Sequence, residues 1–452
     1  MTQVPTSKSS LKVFAIVAML MGLGAGLVAC GGGDGGSLGL QTPATPTSFS
    51  IGGNVAGLSG SGLVLQNNGG DNLSVSANGT FTFAATVTSG TTYNVTVLNQ
   101  PKVPAQICTV TNGSGTVNAS VTNVSLNCVT PVGRFAYTVN YSDNTVSAYS
   151  IDAVSGGLTS LGTVPTGANP VVLAATPSGQ FAYVANASSN TVTAYSINTT
   201  TGALTSLGTA AFVSNPYNMT VEPLGRYLYV TSLGNTVSAY SINATTGALT
   251  LVGATSTGNG PFSMAVDPTG KFAYIVNDGT ATVSAYTIDA STGSLTPVGT
   301  VATGAAPQSV TVDPSGHFVY VTNYSSNNVS AYTININTGA LTPNGMVATD
   351  NGPMGVTFDP SGKFAYVSNI ESDTVTAYTI NAVSGVLTSV GSVTTGSRPY
   401  GVAVDSSGKF AYVSNTSGNT ISVYTINPNS GALNSFGTTP TGSDPRSITV
   451  TK

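Results

Sequence analysis

The 452-residue chain contains no tryptophan, one histidine and three cysteines, and its charged residues are only 11 Lys and Arg against 15 Asp and Glu. Each scarcity excludes something. So few cations, none of them clustered, form no basic patch, which argues against nucleic acid as a partner. One histidine and scattered cysteines provide no Cys/His cluster for zinc, and no Asp-rich loop has calcium-ligand spacing, so neither a metal nor a cofactor is expected. The single histidine, His317, follows a turn glycine in a slot filled elsewhere by Arg134, Gln180, Arg226, Lys271, Lys363 and Lys409. A slot that accepts all of these is a solvated edge, and no catalytic residue is expected there. Helical periodicity is absent throughout.

What is present is repetition. "GKFAYVSN" stands at 362–369 and again at 408–415, with "GKFAYIVN" at 270–277 and "GHFVYVTN" at 316–323. Aligned on its tyrosine, the phrase falls at Tyr137, Tyr183, Tyr229, Tyr274, Tyr320, Tyr366 and Tyr412, in steps of 45 or 46. A second marker keeps the same step at Pro170, Pro216, Pro261, Pro307, Pro353, Pro399 and Pro445. A period of this length points to a solenoid, propeller or array. In 399–444, "YGVAV", "KFAYVSN", "TISVYTI" and "LNSFGTT" alternate with "DSSG", "TSGN" and "NPNSGA". These are four short strands separated by turns, and the second is apolar enough to be buried on both faces. Four-stranded units repeated radially are the blades of a β-propeller. The first repeat opens on its second strand at 134–139, and the chain ends on an orphan first strand, "RSITV" at 446–450. The prediction is an all-β chain whose seven-bladed propeller, 131–452, is closed by its C-terminal strand, which removes an open edge.

The remainder is a leader and one small domain. Lys8 and Lys12 precede an apolar run from Val13 to Leu27 and then "LVAC". This reads as a secretory signal over 1–30, and "LVAC" resembles the bacterial lipobox, which implies lipidation of Cys30. The glycine-rich "GLGAG" at 22–26 lies inside the leader and is no phosphate loop. Residues 31–47 read as a flexible tether. Residues 48–130 read as about seven strands with Gly/Asn turns, a small β-sandwich. Cys108 and Cys128 are expected to pair in an exported protein.

The carboxylates Asp267, Asp313, Asp359 and Asp405, with Glu222 in register, open "DPSG"-type turns, where they are expected to hydrogen-bond the turn backbone. A ligand would sit on the face shared by the loops before each first strand and after each second strand. There the residues just past each repeat proline, Val171, Tyr217, Phe262, Gln308, Met354, Tyr400 and Arg446, should rim the central channel. Arg398 and Asp444 directly precede Pro399 and Pro445. Apart from the two tyrosines these rim residues differ from blade to blade, as a binding surface on a rigid scaffold would. Drift in an unconstrained loop would leave the same pattern. The candidate ligand-binding set is Tyr217, Phe262, Gln308, Met354, Arg398, Tyr400 and Arg446, with no catalytic residue among them.

The phrase Tyr320-Val321-Thr322-Asn323, with Gly202-Ala203-Leu204-Thr205 closing a third-to-fourth-strand turn, resembles the lactonase-like seven-bladed propellers. That superfamily includes bacterial 6-phosphogluconolactonase, the fungal muconate-lactonising enzyme and surface YVTN-repeat proteins. The resemblance covers 131–452. For the enzyme members it implies His, Arg and acidic residues around the channel, whereas the post-proline slots here hold no His and only Arg446. The 48–130 unit resembles the immunoglobulin-like or carboxypeptidase-regulatory-like modules in front of such propellers in bacterial lipoproteins. The expected function is a monomeric binding or scaffolding propeller, held by Cys30 in membrane lipid of the cell envelope, at the outer rather than the inner membrane. Its partner would be a small molecule or an envelope protein. The alternative is an exported hydrolase of a sugar lactone. A quinoprotein-like propeller is discounted because such folds lean on tryptophan.

Overall fold

The computed structural model describes residues 47–101, 106–129 and 135–451. The leader, Cys30, the tether up to residue 46 and Arg134 lie outside the described residues.

In every repeat the "FAYVxN" run forms the second strand of a four-stranded antiparallel sheet, and all six of its residues are buried. Seven such sheets follow one another. Blade 1 contains Phe135–Asn140, Thr145–Ile151 and Leu158–Pro165. Blades 2 to 7 begin at the first strands Pro170–Ala175, Pro216–Val221, Pro261–Val266, Pro307–Val312, Pro353–Phe358 and Pro399–Val404. The missing first strand of blade 1 is Pro445–Thr451, which pairs antiparallel with Phe135–Asn140. The chain is a seven-bladed propeller closed by its C-terminus.

Burial of the second strand on both faces has a simple cause, because the side chains alternate between two neighbouring blades. Phe135 and Tyr137 of blade 1 pack with Ala182, Val184 and Tyr195 of blade 2. The intervening Ala136 packs with Phe410 and Tyr412 of blade 7. The core is therefore seven inter-blade layers.

The two phrases that repeat in the sequence meet here. The Tyr137 hydroxyl donates to the Gly202 carbonyl in the third-to-fourth-strand turn of blade 2 at 2.8 Å. The same clasp joins Tyr183 to Gly247, Tyr229 to Gly293, Tyr274 to Gly339, Tyr320 to Gly385 and Tyr366 to Gly431. Tyr412 completes the circle by donating to Gly156 of blade 1. Gly202 has φ +74°, and a Cβ there would stand 2.3 Å from the Phe135 ring. The "FAY" phrase of one blade thus grips the glycine of the next, and its role is architectural.

The N-terminal unit has ten strands rather than about seven, since the expected first run is interrupted at Ser50 and short strands appear at Val87–Thr88 and Ser114–Thr116. Two four-stranded sheets and one two-stranded sheet surround a core that includes Ile51, Leu65, Phe81, Val124 and Leu126. Val121–Val129 runs parallel to Ile51–Ala56, a pairing that no hairpin could make. Cys108 and Cys128 face each other in register on neighbouring strands and form a disulfide. A single 3-10 turn, Asp278–Thr280, departs from the all-strand pattern among the described residues.

Candidate functional site

The loops entering each first strand share one construction. The residue before every repeat proline has positive φ: Asn169, Asn215, Gly260, Ala306, Gly352, Arg398 and Asp444, all between 48° and 67°. This left-handed backbone turns the chain sharply into the strand, and the proline then fixes φ for its first residue. In six of the seven blades the pre-proline N–H donates to an Asn or Asp side chain from the preceding blade. Asn144 holds Asn169 at 2.8 Å, for example, and Asp373 holds Arg398 at 2.6 Å. Asn190, Asn235, Asn327 and Asn419 do the same.

The exception is Ala281, which takes the same left-handed conformation, φ 49°, without an acceptor. An alanine there carries the Cβ cost of left-handed backbone and leaves Ala306 N–H without the partner its counterparts have. Ala281→Asn should stabilise the propeller by about 1 kcal/mol, read from the denaturation midpoint at unchanged slope. No gain would show that this loop does not adopt the arrangement of its six relatives.

A second contact stiffens four of these loops. A threonine four residues before the proline donates to the buried asparagine ending a second strand. These pairs are Thr166 to Asn186, Thr303 to Asn323, Thr349 to Asn369 and Thr441 to Asn140, at 2.6–3.0 Å. In three of the four a glycine after the threonine makes room for the amide, since a Cβ on Gly304 would lie 2.6 Å from Asn323 Cγ; after Thr349 the residue is Asp350.

These loops bring the post-proline residues together. Val171, Tyr217, Phe262, Gln308, Met354 and Tyr400 line one axial cavity of about 190 Å³, together with deeper residues such as Asn218, Ser309 and Ser447. Arg446 lines an adjoining outer pocket of about 410 Å³ with Arg398, Asp444, Tyr324, Ile370 and Thr416, and Gln308, Met354 and Tyr400 line both. Tyr324, Ile370 and Thr416, and Tyr141 beside Arg446, are site residues that sequence reasoning did not name. All four stand immediately after the "YVxN" asparagine, a slot that also varies between blades, and that variation was the available signal.

Aromatic rings and paired charges dominate the mouth. The Tyr217 and Phe262 rings are 4.0 Å apart at 45°. The Arg446 guanidinium lies 3.5 Å from the centroid of the Tyr141 ring and 5.8 Å from that of Tyr400, a cation–π arrangement. Burial pushes the Tyr217 hydroxyl far above the ordinary tyrosine range, with nearby Tyr400 adding to the shift and Arg446 opposing it. Arg446 is 3.7 Å from Asp444, and Arg398 is 3.2 Å from Glu371. Glu371 also accepts the Tyr324 hydroxyl at 2.8 Å. Arg446 Nε and Asp444 Oδ1 are buried and have no hydrogen-bond partner.

The turn carboxylates do structural work, whereas burial raises the carboxyl of Asp278, which follows the second-strand asparagine of blade 4. Asp267 Oδ1 accepts the Lys271 and Phe272 N–H groups, Asp313, Asp359 and Asp405 cap their turns in the same manner, and Glu222 accepts the Leu224 and Arg226 N–H groups. His317 is exposed and contacts Ser315 Oγ at 3.0 Å. Among the described residues no group of three or more His, Cys, Asp or Glu could hold a metal ion.

A seven-bladed propeller with loop residues converging on its axis defines the class. The chain belongs to the family described as lactonase, seven-bladed β-propeller, whose model matches residues 107–221, 216–358 and 343–450. Among solved structures, a candidate 6-phosphogluconolactonase of Bacteroides fragilis superposes with a TM-score of 0.64 at 21% identity, covering 72% of this chain and 98% of that one. The periplasmic gluconolactonase of Pseudomonas aeruginosa superposes with a TM-score of 0.62 at 19% identity, covering 71% and 99%. A Lactobacillus plantarum protein gives 0.64 at 20%, covering 71% and 100%. At these identities the likeness is one of fold. No curated protein matches the chain.

Proposed function

We propose that this protein is a binding propeller that holds a small ring-bearing ligand, neutral or weakly anionic, at the channel mouth without hydrolysing it. Opening a lactone in water requires a positioned base or a metal, and donors for the developing oxyanion. The observation that carries the reading is that the carboxylates beside the two mouth arginines are already engaged by them, Asp444 at 3.7 Å from Arg446 and Glu371 at 3.2 Å from Arg398. Neither is a free base, and neither arginine is an unopposed anion site. What remains is the aromatic surface of Tyr217, Phe262 and Tyr400, suited to stacking on a ring.

Lactone hydrolysis is the second reading, favoured by membership of the lactonase family. In it Arg446 holds a carboxylate or phosphate and Asp444 is the base. The full-length protein, Arg446→Ala and Asp444→Asn should be assayed on 6-phosphogluconolactone and gluconolactone. Thermal melting with neutral sugars and aldonates reports binding, since a ligand raises apparent stability by mass action. We expect a shifted melt and no turnover above background. Robust turnover lost in either variant establishes the hydrolase instead.

The envelope setting is likewise a proposal, resting on "LVAC" ending at Cys30. Stable anchoring takes more than one acyl chain. Growth with a palmitate analogue should label the wild type and not Cys30→Ser, and an unlabelled wild type removes the anchor.

A further inference from the structure

Six carboxylates stand in the mouth loops among the described residues, and five of them are engaged. Asp444 and Glu371 face Arg446 and Arg398. Asp143 and Asp373 accept the Ser443 and Arg398 N–H groups, each at 2.6 Å, and Asp350 accepts the Thr374 hydroxyl at 2.6 Å. The sixth, Asp278, has neither an ion pair nor a side-chain hydrogen bond among the described residues. It is half-buried, and burial is what raises its carboxyl. The segments around it, 257–266, 279–288 and 303–312, contain no charged residue. A carboxylate that is partly desolvated and uncompensated gains from a cation brought beside it.

The place of Asp278 in its blade sets what lies beside it. The residue after the second-strand asparagine and the residue after the repeat proline flank one cross-strand pair, Asn277 with Pro261 in blade 4 and Asn140 with Pro445 in blade 1. In blade 1 these two slots hold Tyr141 and Arg446, and the guanidinium lies 3.5 Å from the ring centroid. In blade 4 they hold Asp278 and Phe262, so the ring is on the post-proline side and the charge, now negative, is opposite. Asp278 N–H donates to the Gly260 carbonyl at 2.8 Å, and its turn packs against Pro261–Val266. Phe262 in turn packs on Tyr217 at 4.0 Å, and both line the axial cavity. A carboxylate beside an aromatic face is complementary to an ammonium group, which donates a charge-assisted hydrogen bond to the one and lies over the other. We propose that Asp278, Phe262 and Tyr217 form an ammonium-binding subsite on the side of the mouth built by blades 3 and 4, so that the ligand is a ring-bearing amine. This rests on the binding reading above and narrows it, since a ligand that is neutral overall then carries its compensating anionic group elsewhere on the molecule.

Benzylamine, cationic at neutral pH, and benzyl alcohol, its uncharged counterpart of nearly equal size, are the probes, titrated against the full-length protein and followed by ligand-observed NMR. The wild type should bind benzylamine about fivefold more tightly than benzyl alcohol, or better. Asp278→Asn should bind the two equally. Asp289→Asn removes one charge from the opposite end of the same blade, in a turn slot that holds Asn198, Asn243, Asn335, Asn381 and Asn427 in other blades, and should keep the preference. Thermal melts confirm that each variant is folded. Equal affinities in the wild type overturn the ammonium subsite and leave the ring site of the binding reading standing, whereas binding of neither probe overturns both. A preference that survives in Asp278→Asn, or that is lost equally in Asp289→Asn, overturns the assignment to Asp278.

Discussion

Removal of residues 445–452 should leave a chain without a stable propeller at physiological temperature. The deletion strips the first strand from blade 1 and with it the ladder to Phe135–Asn140. It also removes contacts to two neighbours. The Thr449 hydroxyl donates to the Leu173 carbonyl and Leu173 N–H to the Ser447 hydroxyl, both in blade 2. Ser414 of blade 7 donates to the Arg446 carbonyl, and Ile448 is buried in the layer between blades 7 and 1. Several hydrogen bonds at about 1 kcal/mol each, plus one buried isoleucine, amount to a loss of about 5 kcal/mol or more. Domains are typically stable by only about 5–15 kcal/mol, and the bare edge of the fully buried second strand would recruit other chains. Thermal melting and size-exclusion chromatography of the truncated protein decide this. A melt like that of the intact chain would show that the ring does not depend on its C-terminal strand.

Gly202→Ala should cost about 3 kcal/mol, against about 1 kcal/mol for Gly345→Ala. Both glycines have positive φ, +74° and +93°, so both variants pay the left-handed penalty of roughly 1–2 kcal/mol. They differ in what the new methyl meets. At Gly202 it strikes the Phe135 ring at 2.3 Å, whereas at Gly345 nothing lies within 4 Å. Displacing the ring adds roughly 1–3 kcal/mol of overpacking and disturbs the Tyr137 clasp, whose acceptor is the Gly202 carbonyl. Urea unfolding of the two variants gives the comparison, and equal costs would mean that the clasp glycines are kept for their backbone conformation alone.

Much of the architecture was legible because a repeat reports equivalence. The 45–46-residue step of the tyrosines and prolines gives the number of blades, and the unmatched first strand at the end gives the closure. Asp or Glu at the head of a "DPSG"-type turn gives the structural role of those carboxylates, since that chemistry is local. The post-proline slot was legible as the channel rim because strand direction alternates within a blade. The N-terminal unit was less legible. Its strands are short and not repeated, and the parallel pairing of Val121–Val129 with Ile51–Ala56 joins segments about 70 residues apart.

A periodic sequence by itself determined which positions are alike, and through them the fold, the ring closure and the ring of residues that can face the axis. It did not determine which unlike residues meet. Tyr217 and Tyr400 are far apart in the chain and in different blades, and only the closed ring aims both side chains into one channel. Arg446 lies two residues from Asp444 in sequence, yet its flat partner is Tyr141, brought across by the strand that closes blade 1. The threonine latches depend on a rotamer, and the same Thr-Gly pair bonds to asparagine in one blade and to its own backbone in another. Contacts across the axis and between blades are set by packing in three dimensions, and a repeat in sequence carries no record of them.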